Sequence, residues 1–119
     1  MHDYNKMPMY FDSLSLTEGI YRYTQSFPER ESSALGDQLR RAAVSVPSNL
    51  AEACGRSTAK DTARMLSIAI GSIHEVDTQL RISMMLGYGN LEELQYRAVE
   101  VRKQLIGFRK YILKRSSPT

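Results

Sequence analysis

The last long segment of the chain places an apolar residue at every third or fourth position without interruption. The residues in this series are Leu91, Leu94, Ala98, Val101, Leu105, Phe108 and Ile112. Alternating steps of three and four keep side chains on one side of an α-helix, as along the seam of a coiled coil. The pattern therefore predicts a helix over about residues 90–115 that buries one side against other helices.

Three further helices are indicated by apolar stripes that are separated by start and stop signals. Pro8 suits the first turn of a helix, and Pro28 ends one because the residue before a proline avoids the helical conformation. Gly55 favours the left-handed conformation that closes a helix, and Thr58 followed by Asp61 is typical of a helix start. The predicted helices cover about residues 8–27, 31–56, 59–86 and 90–115.

The short connections between these long segments determine the expected architecture. Helices joined by short loops pack against their sequence neighbours in opposite directions, which gives an antiparallel up-down-up-down four-helix bundle. The predicted fold class is therefore all-α, with residues 1–119 forming a single domain of ordinary size. The third segment is apolar on two sides, so we expect it to lie centrally or to face a second subunit.

Pro47 lies inside the second predicted helix, where a proline removes one backbone hydrogen bond and costs about 3 kcal/mol. The carbonyl of Ala43 loses its partner and needs another one. Polar residues at steps of three and four on the second and third segments are expected to form one interhelical network. This network would supply the partner and fix helix register and subunit contacts; a ligand or nucleic-acid contact surface is the alternative. Its members are Ser45, Asn49, Glu52, Ser72, Glu75 and Gln79.

Positive charge is concentrated in the last helix. Residues 97–115 carry seven lysines and arginines and one glutamate, a net charge of +6, whereas the whole chain has +3. Two basic stripes are predicted to contact the phosphate backbone of RNA or DNA without reading its sequence. The alternatives are a solvated helix face whose cations complement the helix dipole, or contact with an acidic protein. The stripes consist of Arg56, Lys60 and Arg64 around the start of the third helix, and of Arg102, Lys103, Arg109, Lys110 and Lys114 along the fourth.

The sequence lacks the residues that several other functions need. Cys54 is the single cysteine, so no internal disulfide forms, which fits a reducing cytoplasm. The chain begins without a signal-peptide pattern, and its longest apolar run, residues 65–73, is too short to span a membrane. The two histidines, His2 and His74, have no spacing that fits a metal site, and no nucleophile or acid–base pair indicates an enzyme. We therefore expect no cofactor, no metal, no catalytic site and no membrane contact.

Three groups of residues resemble the signature of a known family. They are RAAVSVPSNLAE over residues 41–52, GSIHE over residues 71–75 with LGY at residues 86–88, and the pairs Ile20-Tyr21 and Phe27-Pro28. The family comprises four-helix bundle proteins encoded in intervening sequences of bacterial 23S ribosomal RNA genes, and the resemblance covers roughly residues 6–113. It implies a ring-like homopentamer. A distantly similar bundle, the accessory protein of diversity-generating retroelements, binds nucleic acid and a reverse transcriptase.

The sequence thus predicts a non-enzymatic, homo-oligomeric four-helix bundle that serves as a nucleic-acid-binding scaffold through its basic last helix. Its expected partners are further copies of itself in a homopentamer, RNA or DNA, and a nucleic-acid enzyme. The alternative is a protein-interaction adaptor that makes no direct contact with nucleic acid.

Overall fold

The computed structural model describes residues 2–116 of the chain. This part contains four long helices and one short helix. A short 3-10 turn, Tyr4–Lys6, precedes them. Residues 1 and 117–119 of the predicted domain lie outside the described residues. The helices are α1 (Pro8–Thr24), α2 (Glu29–Ser32), α3 (Leu35–Cys54), α4 (Ala59–Met85) and α5 (Glu92–Ser116). No strand occurs in residues 2–116, and the predicted all-α four-helix fold is confirmed.

The four long helices form a bundle that measures 53 by 21 by 19 Å. In it α1 packs on α3, α3 on α4, α4 on α5, and α5 on α1. Near the start of α5, Gln95 Nε2 donates to Asp77 Oδ1 late in α4 at 3.1 Å, whereas Arg109 late in α5 contacts Ser67 early in α4. The two helices therefore run in opposite directions, and early α4 lies beside late α5.

The predicted apolar seam of α5 faces the core. Six of its seven residues are buried, and Phe108 is partly buried against them. Helix α4 packs against both α3 and α5, and this central position accounts for its two apolar sides. Leu66 and Leu80 of α4 are fully buried. Burial of a leucine side chain stabilises a fold by about 1.5–3 kcal/mol relative to exposure.

The second predicted helix, about residues 31–56, is divided in the structure into α2 and α3. Ala34 has a φ of −112° and a ψ of −92°, outside the helical region, and the helix breaks there. Arg40 Nη2 donates to the carbonyl of Ser32 at 2.7 Å and satisfies a backbone acceptor at the end of α2. Ser33 and Ala34 are neither glycine nor proline, and the nearby Gly36 lies inside the first turn of α3, so the sequence pattern did not reveal the break.

Other helix ends differ from the prediction by a few residues. Helix α1 ends at Thr24 and α3 at Cys54, because the following N–H groups bond to carbonyls three residues back, in turns tighter than an α-helix. Helix α5 begins at Glu92 rather than at residue 90. The side-chain oxygen of Asn90 accepts a hydrogen bond from the N–H of Glu92 and holds the turn before α5.

The carbonyl that Pro47 leaves without an intrahelical partner is satisfied from α1. Thr17 Oγ1 lies 3.2 Å from the carbonyl oxygen of Ala43 and 2.8 Å from that of Ser13, so its proton is shared between its own helix and α3. Helix α3 continues through the buried Pro47. The polar network expected to supply this partner does not do so, because the Thr17 hydroxyl of α1 makes the hydrogen bond to the Ala43 carbonyl instead.

Replacing Thr17 by valine is expected to lower the free energy of unfolding by about 1–3 kcal/mol, since a side chain of similar shape leaves the Ala43 carbonyl unpaired. In a Pro47→Ala background, the N–H of residue 47 returns and donates to that carbonyl, so the same valine should cost less. Urea denaturation of the four proteins gives both differences. Equal costs in the two backgrounds would contradict this account of Thr17.

Candidate nucleic-acid interface

Three of the six predicted polar residues link α3 to α4. Ser45 Oγ and Ser72 Oγ are 2.8 Å apart, and Asn49 Nδ2 donates to Ser45 Oγ and to the Ser45 carbonyl, each at 2.8 Å. All three residues are half-buried. These hydrogen bonds connect α3 to α4 at the helical turn of α3 that follows Ala43, the residue whose carbonyl Pro47 leaves without an intrahelical partner.

The other three predicted polar residues lie apart from this link. Gln79 Nε2 is 3.5 Å from Glu75 Oε2, which is the outer limit of a hydrogen bond. Gln79 is only 8% exposed, and its Oε1 has no hydrogen-bond partner among the described residues. The side chain of Glu52 is exposed on α3 and makes no hydrogen bond within residues 2–116. Within one chain, the six residues therefore form separate groups rather than one network.

An open groove of about 430 Å³ lies where α3 and α4 meet at the surface. We call it the α3–α4 face, and it is lined by Leu35, Gln38, Gly71, His74, Glu75, Thr78, Gln79 and Ile82. Ile82 is 40% exposed. The face thus combines exposed apolar surface with a buried polar atom for which the described part of the chain supplies no hydrogen-bond partner.

The antiparallel pairing of α4 and α5 brings residues from both predicted basic stripes together. Lys60 and Arg64 come from early α4, and Arg109 and Lys110 come from late α5. Two adjoining hollows of about 560 and 280 Å³ share Ser67 and Arg109, and we call them together the α4–α5 groove. None of the ten residues that line them is acidic. They are Ala59, Lys60, Ala63, Arg64, Ser67, Ile70, Ile106, Arg109, Lys110 and Leu113.

The four cations of the groove differ in how far their charge is compensated. Arg64 Nε and Nη2 lie 3.0 and 2.9 Å from Asp61 Oδ1, so this arginine is paired with a carboxylate. Lys60 and Lys110 have no ion pair within residues 2–116, and Arg109 donates to a neutral hydroxyl. The positive potential of the groove therefore comes chiefly from Lys60, Arg109 and Lys110.

The other four predicted basic residues do not line the groove. Arg56 lies 3.5 Å from Asp61 and lines a hollow at the end of the bundle. Lys103 pairs with a glutamate one turn earlier in α5, at 3.9 Å. Arg102 is half-buried and Lys114 is exposed, and neither has an ion pair within residues 2–116. The structure thus gathers four of the eight predicted residues at one place.

The hollow at the end of the bundle includes His2, Arg56 and Arg115. Burial lowers the pKa of His2, and nearby positive charge that includes Arg115 lowers it further. The imidazole is therefore neutral at neutral pH, and the arginines supply the charge of this hollow. Burial also raises the pKa of the neighbouring Cys54 thiol, which keeps it protonated and unreactive, as expected of a structural cysteine.

Ser67 is the polar groove residue that the sequence patterns did not indicate. Its Oγ accepts a hydrogen bond from Arg109 Nε at 2.8 Å and donates to the carbonyl of Ala63 at 3.1 Å. Ser67 follows Lys60 by seven residues and Arg64 by three, spacings that place all three on one side of α4. That spacing was the available signal, but the apolar run around Ser67 hid it.

Within residues 2–116, no group of three or more histidine, cysteine, aspartate or glutamate side chains is arranged to hold a metal ion. No helix in the same part of the chain is both long enough and apolar enough to cross a lipid bilayer.

The fold and the α4–α5 groove define a class: an all-α bundle of four long helices with a basic groove between the last two. Comparison with family models then identifies the family. The model of the 23S rRNA-intervening sequence proteins matches residues 5–107, and the chain belongs to that family. The resemblance predicted from the sequence motifs is confirmed.

The fold is also similar to a solved structure. The crystal structure of a protein with unknown function from the S23 ribosomal protein family of Bacteroides thetaiotaomicron superimposes with a TM-score of 0.77 and 22% sequence identity. The match covers 86% of this chain and 98% of that one, and at this level of identity it supports the fold alone. A comparison with curated proteins gave no match.

Proposed function

We propose that this protein is a non-enzymatic, homo-oligomeric scaffold of the cytoplasm that binds RNA or DNA through the α4–α5 groove. The observation that carries the proposal is that Lys60, Arg64, Arg109 and Lys110 line one groove with no acidic side chain among its lining residues. Such a surface attracts a phosphate backbone because binding releases condensed counterions, and it does not read base sequence. The cationic side chains lie on α4 and α5, which the core holds together, so the groove is already formed in the absence of a ligand.

The second part of the proposal is assembly into a pentamer, the number that the family resemblance implies. We place the subunit contact on the α3–α4 face. Gln79 Oε1 is buried there without a partner among the described residues, and a neighbouring subunit would supply the missing donor. The exposed Ile82 adds apolar surface to the same face. Five copies would present five basic grooves on one particle and increase avidity for a long nucleic acid.

The oligomer is tested by light scattering coupled to size exclusion. We expect a mass near five times the 13.5 kDa of one chain. A single-chain mass at micromolar concentration would contradict the pentamer and the subunit contact, while leaving the groove to be tested separately.

Nucleic-acid binding is tested by titrating the protein with a labelled 20-nucleotide RNA, the same sequence as DNA, and a 20-base-pair duplex across a salt series. Each phosphate that is neutralised contributes about −0.7 to the slope of log affinity against log salt for a single strand, and about −0.9 for a duplex. Four groove cations that all engage phosphate predict a slope of about −3 per groove for a single strand. Absence of binding at low salt, or affinity that does not change with salt, would contradict the proposal.

A protein-interaction adaptor without direct nucleic-acid contact is the second candidate, with a nucleic-acid enzyme as one conceivable partner. Met85 is 86% exposed and Leu86 is 54% exposed at the end of α4, and exposed apolar neighbours of this kind favour a protein contact. Pull-down from native lysate with and without nuclease separates the candidates. Partners that survive nuclease treatment favour the adaptor, and loss of all partners favours the nucleic-acid scaffold.

A further inference from the structure

We infer that the α4–α5 groove takes a single strand rather than a duplex, with one phosphate seated on Arg109 in an orientation that Ser67 sets. This inference rests on the proposed nucleic-acid function and specifies its substrate class. Two separate features of the groove support it: the hydrogen bonds around Ser67, and the apolar residues between the cations.

The hydrogen bonds of Ser67 favour one orientation of the Arg109 side chain. The hydroxyl donates its only proton to the carbonyl of Ala63, so its oxygen acts as an acceptor toward Arg109, and Arg109 Nε donates to it at 2.8 Å. The bond anchors one edge of the guanidinium group, while Nη1 and Nη2 have no partner within residues 2–116. Two parallel N–H groups of a fixed guanidinium match two oxygens of one phosphate.

Arg64 lines the same groove but is not equivalent to Arg109. Its Nε and Nη2 both contact Asp61 Oδ1, so the corresponding donors already face a carboxylate. Arg109 is held by an uncharged group and keeps its full charge for a ligand. We therefore assign the phosphate seat to Arg109, with Ser67 as its positioning residue.

The apolar residues of the groove distinguish a single strand from a duplex. Ile70 and Ile106 are half-buried and lie next to Arg109 and Lys110 in the smaller hollow. A duplex offers phosphates and sugars at its surface and keeps the faces of its bases stacked inside. A single strand can place an unstacked base against the apolar isoleucine side chains while its phosphates reach the cations.

The first experiment compares fluorescence anisotropy of labelled 20-nucleotide poly(U) RNA and poly(dT) DNA with that of a 20-base-pair duplex, using the full chain at low salt. We expect both single strands to bind at least about tenfold more tightly than the duplex. Equal affinities, or tighter binding of the duplex, would overturn the inference without affecting the proposed function. Absence of binding to all three probes would overturn both.

The second experiment separates the roles of Ser67 and Arg109. Ser67→Ala is expected to weaken single-strand binding about three- to tenfold with an unchanged salt slope, because the cation remains but is no longer oriented. Arg109→Gln should weaken binding about tenfold and reduce the magnitude of the slope by about 0.7. The double variant should bind no more weakly than Arg109→Gln, since Ser67 acts through Arg109.

Matched variants control for removal of a hydroxyl or of an apolar side chain. Ser67→Thr keeps the hydroxyl and should recover most of the affinity that Ser67→Ala loses, whereas Ser48→Ala removes an exposed hydroxyl of α3 and should have no effect.

Ile106→Ala should weaken single-strand binding and leave duplex binding unchanged, and Leu14→Ala, a truncation on α1, should change neither. Additive effects of Ser67→Ala and Arg109→Gln would refute the positioning role, and equal losses for Ile106→Ala on both probes would refute the single-strand assignment.

Discussion

Replacing Lys60, Arg109 and Lys110 together by glutamine is expected to reduce affinity for single-stranded nucleic acid about 100-fold at low salt and to reduce the magnitude of the salt slope by about 2. These three side chains supply the uncompensated charge of the α4–α5 groove, because Arg64 is paired with Asp61. Glutamine removes the charge and has a helix propensity similar to those of lysine and arginine, so the helices should be unaffected. Fluorescence anisotropy across a salt series measures both quantities, and circular dichroism checks the fold.

A matched control removes three positive charges elsewhere on the chain. Lys6, Arg22 and Arg81 are exposed and lie outside the groove, and the same change to glutamine lowers the net charge by the same amount. We expect this control variant to lose only the weak, long-range attraction of net charge. If it loses as much affinity as the groove variant, then binding depends on overall charge and the groove is not the site.

The proposed contact on the α3–α4 face predicts an equally large effect on assembly. Ile82→Glu places a carboxylate on that face, and an unpaired charge buried in an interface costs several kcal/mol. We therefore expect the mass in solution to fall from about five chains to one at micromolar concentration. Ile82 is 40% exposed in the single chain, so the bundle itself should remain folded.

Light scattering and thermal unfolding together test this prediction. Tyr96→Glu introduces the same charge on the outer side of α5, where the residue is 65% exposed, and should leave the mass unchanged. An Ile82→Glu variant that keeps the mass of the unmodified protein would exclude the α3–α4 face as the subunit contact. A variant that unfolds at much lower temperature in monomeric form would instead show that Ile82 acts within the chain.

The helices were predictable because their signals are local. The apolar seam from Leu91 to Ile112 repeats every three or four residues, and Pro28 and Thr58 mark helix ends in the sequence itself. The break at Ala34 was not predicted, because Ser33 and Ala34 are neither glycine nor proline and the contact of Arg40 with the Ser32 carbonyl leaves no local pattern. This contact forms only when the chain folds back between α2 and α3.

The candidate site was predictable only in parts. Charge counting found the two basic stripes, but periodicity on one helix does not specify which residues of another helix lie opposite. The antiparallel packing of α4 and α5 joins Lys60 and Arg64 to Arg109 and Lys110, and it leaves Lys114 outside. The partner of the Ala43 carbonyl was missed for the same reason, since Thr17 lies 26 positions away in the sequence.

The hydrogen bond from Thr17 to Ala43 has a consequence for local unfolding. Because Pro47 cannot supply an N–H, helix α3 alone cannot satisfy its own backbone, and α1 completes it from outside. Any motion that separates α1 from the bundle therefore leaves a carbonyl unpaired in the middle of α3, next to the bonds that join Ser45 to Ser72. The first helix is thereby coupled to the cooperative unit formed by α3 and α4, and amide hydrogens of α1 and central α3 should exchange with solvent through the same opening event.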